Sequence, residues 1–204
     1  CIARDQAHCQ RRRGERATGG MEGGEIGVDG EIEVPRRRLV DTVADHHYGD
    51  RVKLAFAFAE LLNVQTRALQ ADGIDIVQFD EPAFNVYMSE AADWGVAALE
   101  RAAEGLTCKT AVHICYGYGI DANRKWKDTL GHEWRQYEQV FPALARSRID
   151  QVSLECMHSH VPLDLLGLLA GNDVMVGVID VASDFVETPE EVADVASGGE
   201  AGLE

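Results

Sequence analysis

Positive charge is what this sequence has least of. Nineteen Lys and Arg stand against 35 Asp and Glu, a formal net charge of −16. A surface built to hold nucleic acid or anionic lipid needs clustered cations, so the balance argues against both partners. What basic charge exists is displaced to one end. Residues 1–40 hold eight Arg against seven acids, a net of +1, and the remainder carries −17. Nor is there an apolar run of about 18 residues, so no segment reads as a membrane-spanning helix. The cysteines form no framework either. Five of them, at 1, 9, 108, 115 and 156, are an odd number at irregular spacings. Reduced thiols in a cytoplasmic protein are the expectation, each to be judged as packing or as a ligand.

The first forty residues also lack apolar periodicity. RRRGER, TGGMEGGEIG and PRRR read as an irregular, disordered segment, too acidic for a transit peptide and without the apolar stretch of a signal peptide. The chain starts at Cys1 and stops in a small acidic tail over 197–204, which suggests an incomplete copy of something larger. The domain is therefore expected over 41–196.

There the pattern is regular. A helix is expected over 50–71, with Val52, Leu54, Ala55, Phe58, Leu61, Leu62, Val64 and Leu69 forming its apolar stripe and Gly73 ending it. A strand follows at 74–80, then a helix over 90–104 with Ser89 as N-cap and Gly105 as stop. The unit repeats: strand 109–115, a largely helical 126–147, strand 150–155, a short helix 161–169 stopped by Gly171, and strand 173–180. Thr188, Pro189, Glu190 and Glu191 make a good helix start. Four strand–helix units in succession argue for a parallel sheet, because parallel neighbours are joined by crossovers. The fold class is α/β, a (β/α)8 barrel of TIM type, incomplete in this chain, with an open doubly wound sheet as the alternative.

Each strand is apolar through its body and ends in a group that can bind or react: Asp80 with Glu81, His113 with Cys115, Glu155, and Asp180. In parallel α/β folds these ends share one rim, where ligands bind. Residues i and i+2 of a strand face the same way, so His113 and Cys115 project together. Zinc favours that pairing of nitrogen with sulfur, and Glu155 could add an oxygen from the next strand. Alternation turns Cys156 away, as packing. Adjacent carboxylates cannot both face the rim, so one of Asp80 and Glu81 points into the pocket, where an acid suits a substrate ammonium. Tyr116 and Tyr118 could touch a ligand. Trp94, Trp126, Trp134 and Tyr137 read as packing, and His158 and His160 as solvated loop residues.

These residues together resemble the cobalamin-independent methionine synthase family, above all its short single-barrel members. The likeness runs from about residue 39 to 195 and rests on IVQFDEP (76–82), HICYG (113–117) and VSLE (152–155). The resemblance implies zinc-dependent transfer of a methyl group from a methylated folate, or a methyl-corrinoid, to the thiol of homocysteine, forming methionine. It implies His113, Cys115 and Glu155 as zinc ligands and Asp80 as the acid that holds the amino group of homocysteine. The family's fourth ligand is a Cys on a later strand, and this sequence has none beyond Cys156. Where its folate-using members carry a His after the strand matching GVID (177–180), this chain has Val181, Ala182 and Ser183, which points towards another donor. A non-catalytic, truncated remnant of such a barrel is the competing reading. A porphyrin-decarboxylating barrel is a third, disfavoured because many carboxylates need many cations.

Overall fold

A computed structural model describes residues 45–115, 127–131, 133–157, 161–180 and 183–201, with the side chains of 198–201 left aside. The expectations for residues 1–40 and for Tyr116, Tyr118, Trp126, His158, His160, Val181 and Ala182 fall outside these residues.

Helix α1 (Arg51–Ala71) starts because Asp50 leaves the helical region (φ −150°, ψ 116°) and its side chain accepts from the amides of Val52 and Lys53 at 2.9 and 3.2 Å. Those amides have no partner inside the helix, so the cap supplies one. The chain leaves through Gly73 at φ +89°, a left-handed conformation that a side chain resists. The buried face differs from the expected stripe. Leu54, Ala55, Ala59, Asn63 and Thr66 are inside, whereas Leu61 and Val64 are 63% and 69% exposed. Small residues let α1 approach the later helix α2 (Val96–Ala102) closely. Asn63 Nδ2 then donates to the carbonyls of Ala102 and Glu104 at 3.0 and 2.7 Å, and Thr66 Oγ1 donates to Ala102 O at 3.3 Å. Two polar side chains of α1 thus finish the C-terminal end of α2, where carbonyls lack helical partners.

Four strands follow: β1 (Ile76–Asp80), β2 (Lys109–Ile114), β3 (Gln151–Leu154) and β4 (Asp173–Val176). All pairs are parallel and the sheet order is β1-β2-β3-β4. A doubly wound sheet reverses its order at a switch point; here each strand joins the side of the one before, the winding of a barrel wall. The fold is an arc of a (β/α) barrel.

Register sorts the side chains. Phe79, Val112, Val152 and Val174 are aligned across the sheet, as are Ile114, Leu154 and Val176. Those of β1–β3 enter the main core together with Phe84, Leu99, Tyr137, Phe141, Leu144, Leu166 and Leu169, each at most 2% exposed. On the opposite face run two polar rows, Gln78–Ala111–Gln151–Asp173 and Asp80–His113–Ser153–Met175.

Three expected elements are remade. Ser89 is no N-cap, because it lies inside the helical turn Met88–Glu90, which continues through a π-turn (Ala91–Gly95) into α2. A Cβ on Gly95 would lie 3.0 Å from the Phe84 ring, so the glycine admits that ring against the wider turn. The stretch expected to be helical over 126–147 holds a 3-10 turn (Arg135–Gln139) and a short helix α3 (Phe141–Ala145). Gly131 at φ +77° interrupts it, and Pro142 lacks the amide a continuing helix would use. The segment before β4 is a 3-10 turn (Leu163–Leu169), and β4 itself ends four residues short of Asp180.

Helix α4 (Pro189–Ala201) begins as expected. Thr188 Oγ1 accepts from Glu191 N at 3.3 Å while Glu191 Oε2 accepts from Thr188 N at 2.8 Å, a reciprocal capping box. Among the described residues no helix is long and apolar enough to cross a membrane.

Candidate metal and substrate site

At the C-terminal ends of β2 and β3 three side chains converge. His113 belongs to β2, Cys115 lies one residue past it, and Glu155 directly follows β3. One ligand atom from each lies within 4.8 Å of the others, and all three residues are partly buried. His113 Nε2 stands 3.7 Å from Glu155 Oε1. Two ligands at roughly 2.0–2.2 Å from a tetrahedral metal are about 3.3–3.6 Å apart, so the observed spacing needs little change to admit an ion. Nitrogen, sulfur and oxygen donors of this set could hold a metal ion.

The backbone around the cluster is pinned from the loop after β1. Glu81 N donates to His113 O at 2.8 Å, carrying the ladder one residue beyond Asp80. Asn85, fully buried, donates through Nδ2 to Cys115 O. From β3, Ser153 lies directly across from His113, and its hydroxyl meets His113 Nδ1 at 3.1 Å. With Nδ1 engaged, Nε2 is the nitrogen left facing Glu155, the arrangement by which second partners orient metal-binding imidazoles. Gly177 closes the far side: its amide donates to Leu154 O at 2.8 Å, and a Cβ there would sit 2.8 Å from that oxygen and 3.3 Å from Glu155 Cα.

Electrostatics follow from the convergence. The Cys115 sulfur first, and the Glu155 carboxylate next, raise the His113 imidazolium to about 9, against the opposing cost of burial. Cys156 points the other way, 6% exposed in the core, and burial pushes its thiol up to about 11, which makes it packing rather than a ligand. Cys108, Cys115 and Cys156 are free thiols.

Asp80 ends β1 in the same row as His113, half-buried, and its carboxylate accepts from Gln78 Nε2 at 3.0 Å. It adds to the field on His113 but stands outside the three-residue cluster. Glu81 turns the opposite way and is 2% exposed. Asp180 stands outside the three-residue cluster, and its amide donates to Glu187 at 2.6 Å. Trp134 and Tyr137 are core residues at 3% and 1% exposure, and Trp94 packs against the start of α1.

Sequence reasoning passed over Ser153 and Lys127. Alternation placed Ser153 on the face of Glu155, but pairing it with His113 needed the strand register. Lys127 is 1% exposed, with its ammonium 5.4 Å from the Trp134 ring centre, and a lysine in a polar stretch gives no sign of burial.

Fold and site together define a (β/α)-barrel wall with a cluster on its C-terminal rim that could hold a metal ion. The family described as "Cobalamin-independent synthase, Catalytic domain" matches residues 45–201. The chain belongs to that family, the cobalamin-independent methionine synthases. It is 30% identical over 158 residues to a methionine synthase of Sulfurisphaera tokodaii, covering 75% of this chain and 41% of that protein. A methionine synthase of Saccharolobus islandicus strain L.S.2.15 is 31% identical over 152 residues, covering 74% and 40%. Among solved structures, a B12-independent methionine synthase from Shewanella sp. W3-18-1, in complex with selenomethionine, superposes with a TM-score of 0.75 at 60% identity. That match covers 81% of this chain and 49% of the other. The chain spans about two fifths of the length of the curated relatives it matches.

Proposed function

We propose that this chain carries the zinc and amino-acid half of a methyltransferase site, in which the thiol of homocysteine accepts a methyl group to give methionine. The observation that carries the proposal is the convergence of His113, Cys115 and Glu155 within 4.8 Å on one rim. Their nitrogen, sulfur and oxygen suit zinc better than hard cations, which prefer oxygen alone. Bound zinc supplies a Lewis acid that holds a substrate thiol as its thiolate near neutral pH.

The chain's own residues do the rest. Ser153 fixes the His113 ring so that Nε2 faces the site. Glu155 and Cys115 approach from neighbouring strands, and Gly177 leaves room for Glu155. Asp80, one strand away in the same row, holds the substrate ammonium, so the amino acid is gripped at one end while its sulfur is presented at the other. The selenomethionine complex of the Shewanella relative, an amino acid with a methylated chalcogen, supports an amino-acid site of this shape. The methyl donor is a methylated folate, or a methyl-corrinoid where Val181, Ala182 and Ser183 replace the histidine of folate-using members. A reducing, cytoplasmic setting suits a site that depends on the Cys115 thiol.

The test is metal content and proton release. Purified chain should carry about one zinc, Cys115→Ser should lose it, and homocysteine should release protons only from the loaded protein. No zinc retained at micromolar metal would sink the proposal.

A further inference from the structure

Cys115 stands one residue past the end of β2, whose last pairing with β3 joins Ile114 to Leu154. On the β1 side, Glu81 N donates to His113 O at 2.8 Å, and the next rung of a parallel ladder would bring the Ala83 amide to Cys115 O. The chain turns away first. Pro82–Asn85 winds into a 3-10 helix, with Phe84 N on Glu81 O at 3.2 Å and Val86 N on Ala83 O at 3.1 Å. At the end of that turn the Asn85 side chain supplies a donor where the ladder would have placed one: its Nδ2 donates to Cys115 O.

The asparagine is an expensive choice for this position. It is buried to 0% exposure, and its Oδ1 meets no hydrogen-bond partner. A buried acceptor left unmet is costly, and a leucine, with the same branched shape, would avoid that cost. What the amide contributes that leucine would not is the bond to Cys115 O. In extended backbone the carbonyl and side-chain directions are fixed together, so a carbonyl held towards β1 keeps the Cys115 sulfur on the face shared with His113.

We propose that Asn85 is a positioning residue for Cys115: a side-chain rung past the end of the sheet that keeps the thiol on the side of His113 and Glu155, and so decides whether an ion is held by sulfur as well as by nitrogen and oxygen. The inference rests on the metal-site reading above and extends it to a residue outside the cluster. One loop then grips both β2 ligands, His113 through Glu81 and Cys115 through Asn85. Asn85 acts through the backbone and touches neither ion nor substrate in this role.

The experiment uses the full chain loaded with cobalt(II). Its sulfur-to-metal absorption reports a bound thiolate, assigned by its loss in Cys115→Ser, and its paramagnetically shifted ring signals report a bound imidazole. Asn85→Leu should lose most of the sulfur absorption per bound cobalt, keep the imidazole signals, and bind cobalt about tenfold more weakly, the lower end of what outer partners contribute. Asn63→Leu, which removes another buried asparagine that donates to carbonyls, should change none of the three. Full sulfur absorption in Asn85→Leu, loss of sulfur and imidazole signals together, or an equal loss in Asn63→Leu overturns the proposal. Where Asn85→Leu does not fold, the wild type decides by reciprocity: if the Asn85 bond favours the metal, the metal must favour the bond. Zinc should then slow hydrogen exchange of the Asn85 side-chain amide, and unchanged exchange overturns the proposal. Wild type that takes up no cobalt, or takes it up without the sulfur absorption, overturns the metal-site reading itself, and this inference with it.

Discussion

Replacing Ser153 by alanine removes one oxygen and should cost the site most of its order. The hydroxyl stands 3.1 Å from His113 Nδ1, and Ser153 is 8% exposed, so water has little room to take its place. Loss of a single neutral hydrogen bond is worth about 0.5–1.5 kcal/mol, a factor of roughly 2–13 in affinity. The His113 ring also becomes free to turn, and partners of this kind typically contribute about 10–100-fold to metal affinity. The two ranges meet near tenfold, which is the expected weakening for Ser153→Ala. Ser153→Thr keeps the hydroxyl and should stay within about threefold of wild type. The assay is competition for zinc against a chromophoric chelator at constant pH, with urea unfolding alongside. Global stability of the metal-free protein should change by no more than about 1 kcal/mol. Zinc affinity of Ser153→Ala within twofold of wild type would refute the reasoning, and would mean that β3 places His113 by backbone alone.

Four further outcomes are expected. His113 is held at about 9 in the metal-free protein, mainly by Cys115 and then Glu155, so a proton must leave it before a metal enters; on this account apparent zinc affinity should climb by up to about tenfold per pH unit above 7 and flatten as pH nears 9, as chelator competition at several pH values will show. The same raised value means that the bound proton stabilises the metal-free fold fully below 6.5 and that this contribution is lost as pH rises through about 9, which urea midpoints will track. Gly177→Ala sets a methyl 2.8 Å from Leu154 O and should destabilise by about 1–3 kcal/mol, with zinc lost in parallel because Glu155 is displaced. Asn63→Ala strips the Glu104 carbonyl of its Asn63 donor, leaves Ala102 O with Thr66 Oγ1, and should cost about 1–3 kcal/mol by the same measurement, with zinc affinity unchanged.

What could be read from the sequence was set by local rules of short range. Period-two alternation placed His113 beside Cys115 and turned Cys156 inward, and the apolar bodies of the four strands located the rim. Thr188 and Pro189 marked a helix start because capping is decided within four residues. The failures lie where tertiary contact overrides pattern. Leu61 and Val64 fitted an apolar stripe, yet α1 packs through Ala55, Ala59, Asn63 and Thr66, since close approach and two shared hydrogen bonds outweigh their hydrophobicity. Trp134, Tyr137 and Phe141 carried helical spacing, but Gly131 and Pro142 broke the run into turns. The pairing of Ser153 with His113 depends on register, and the burial of Lys127 on its neighbours in space; neither is a property of a sequence window.

The cluster straddles a ladder. His113 pairs with Ser153 and Ile114 with Leu154, and the candidate ligands sit at or just beyond those pairs, two from one strand and one from the next. An ion bound there would act as a rivet between β2 and β3 at the end where both strands run out into loops. Fraying of that end and escape of the ion would be the same event. Hydrogen exchange at the amides of Glu81 and Leu154 should then slow when metal is added, and the strength of the site could be read from the backbone without any substrate present.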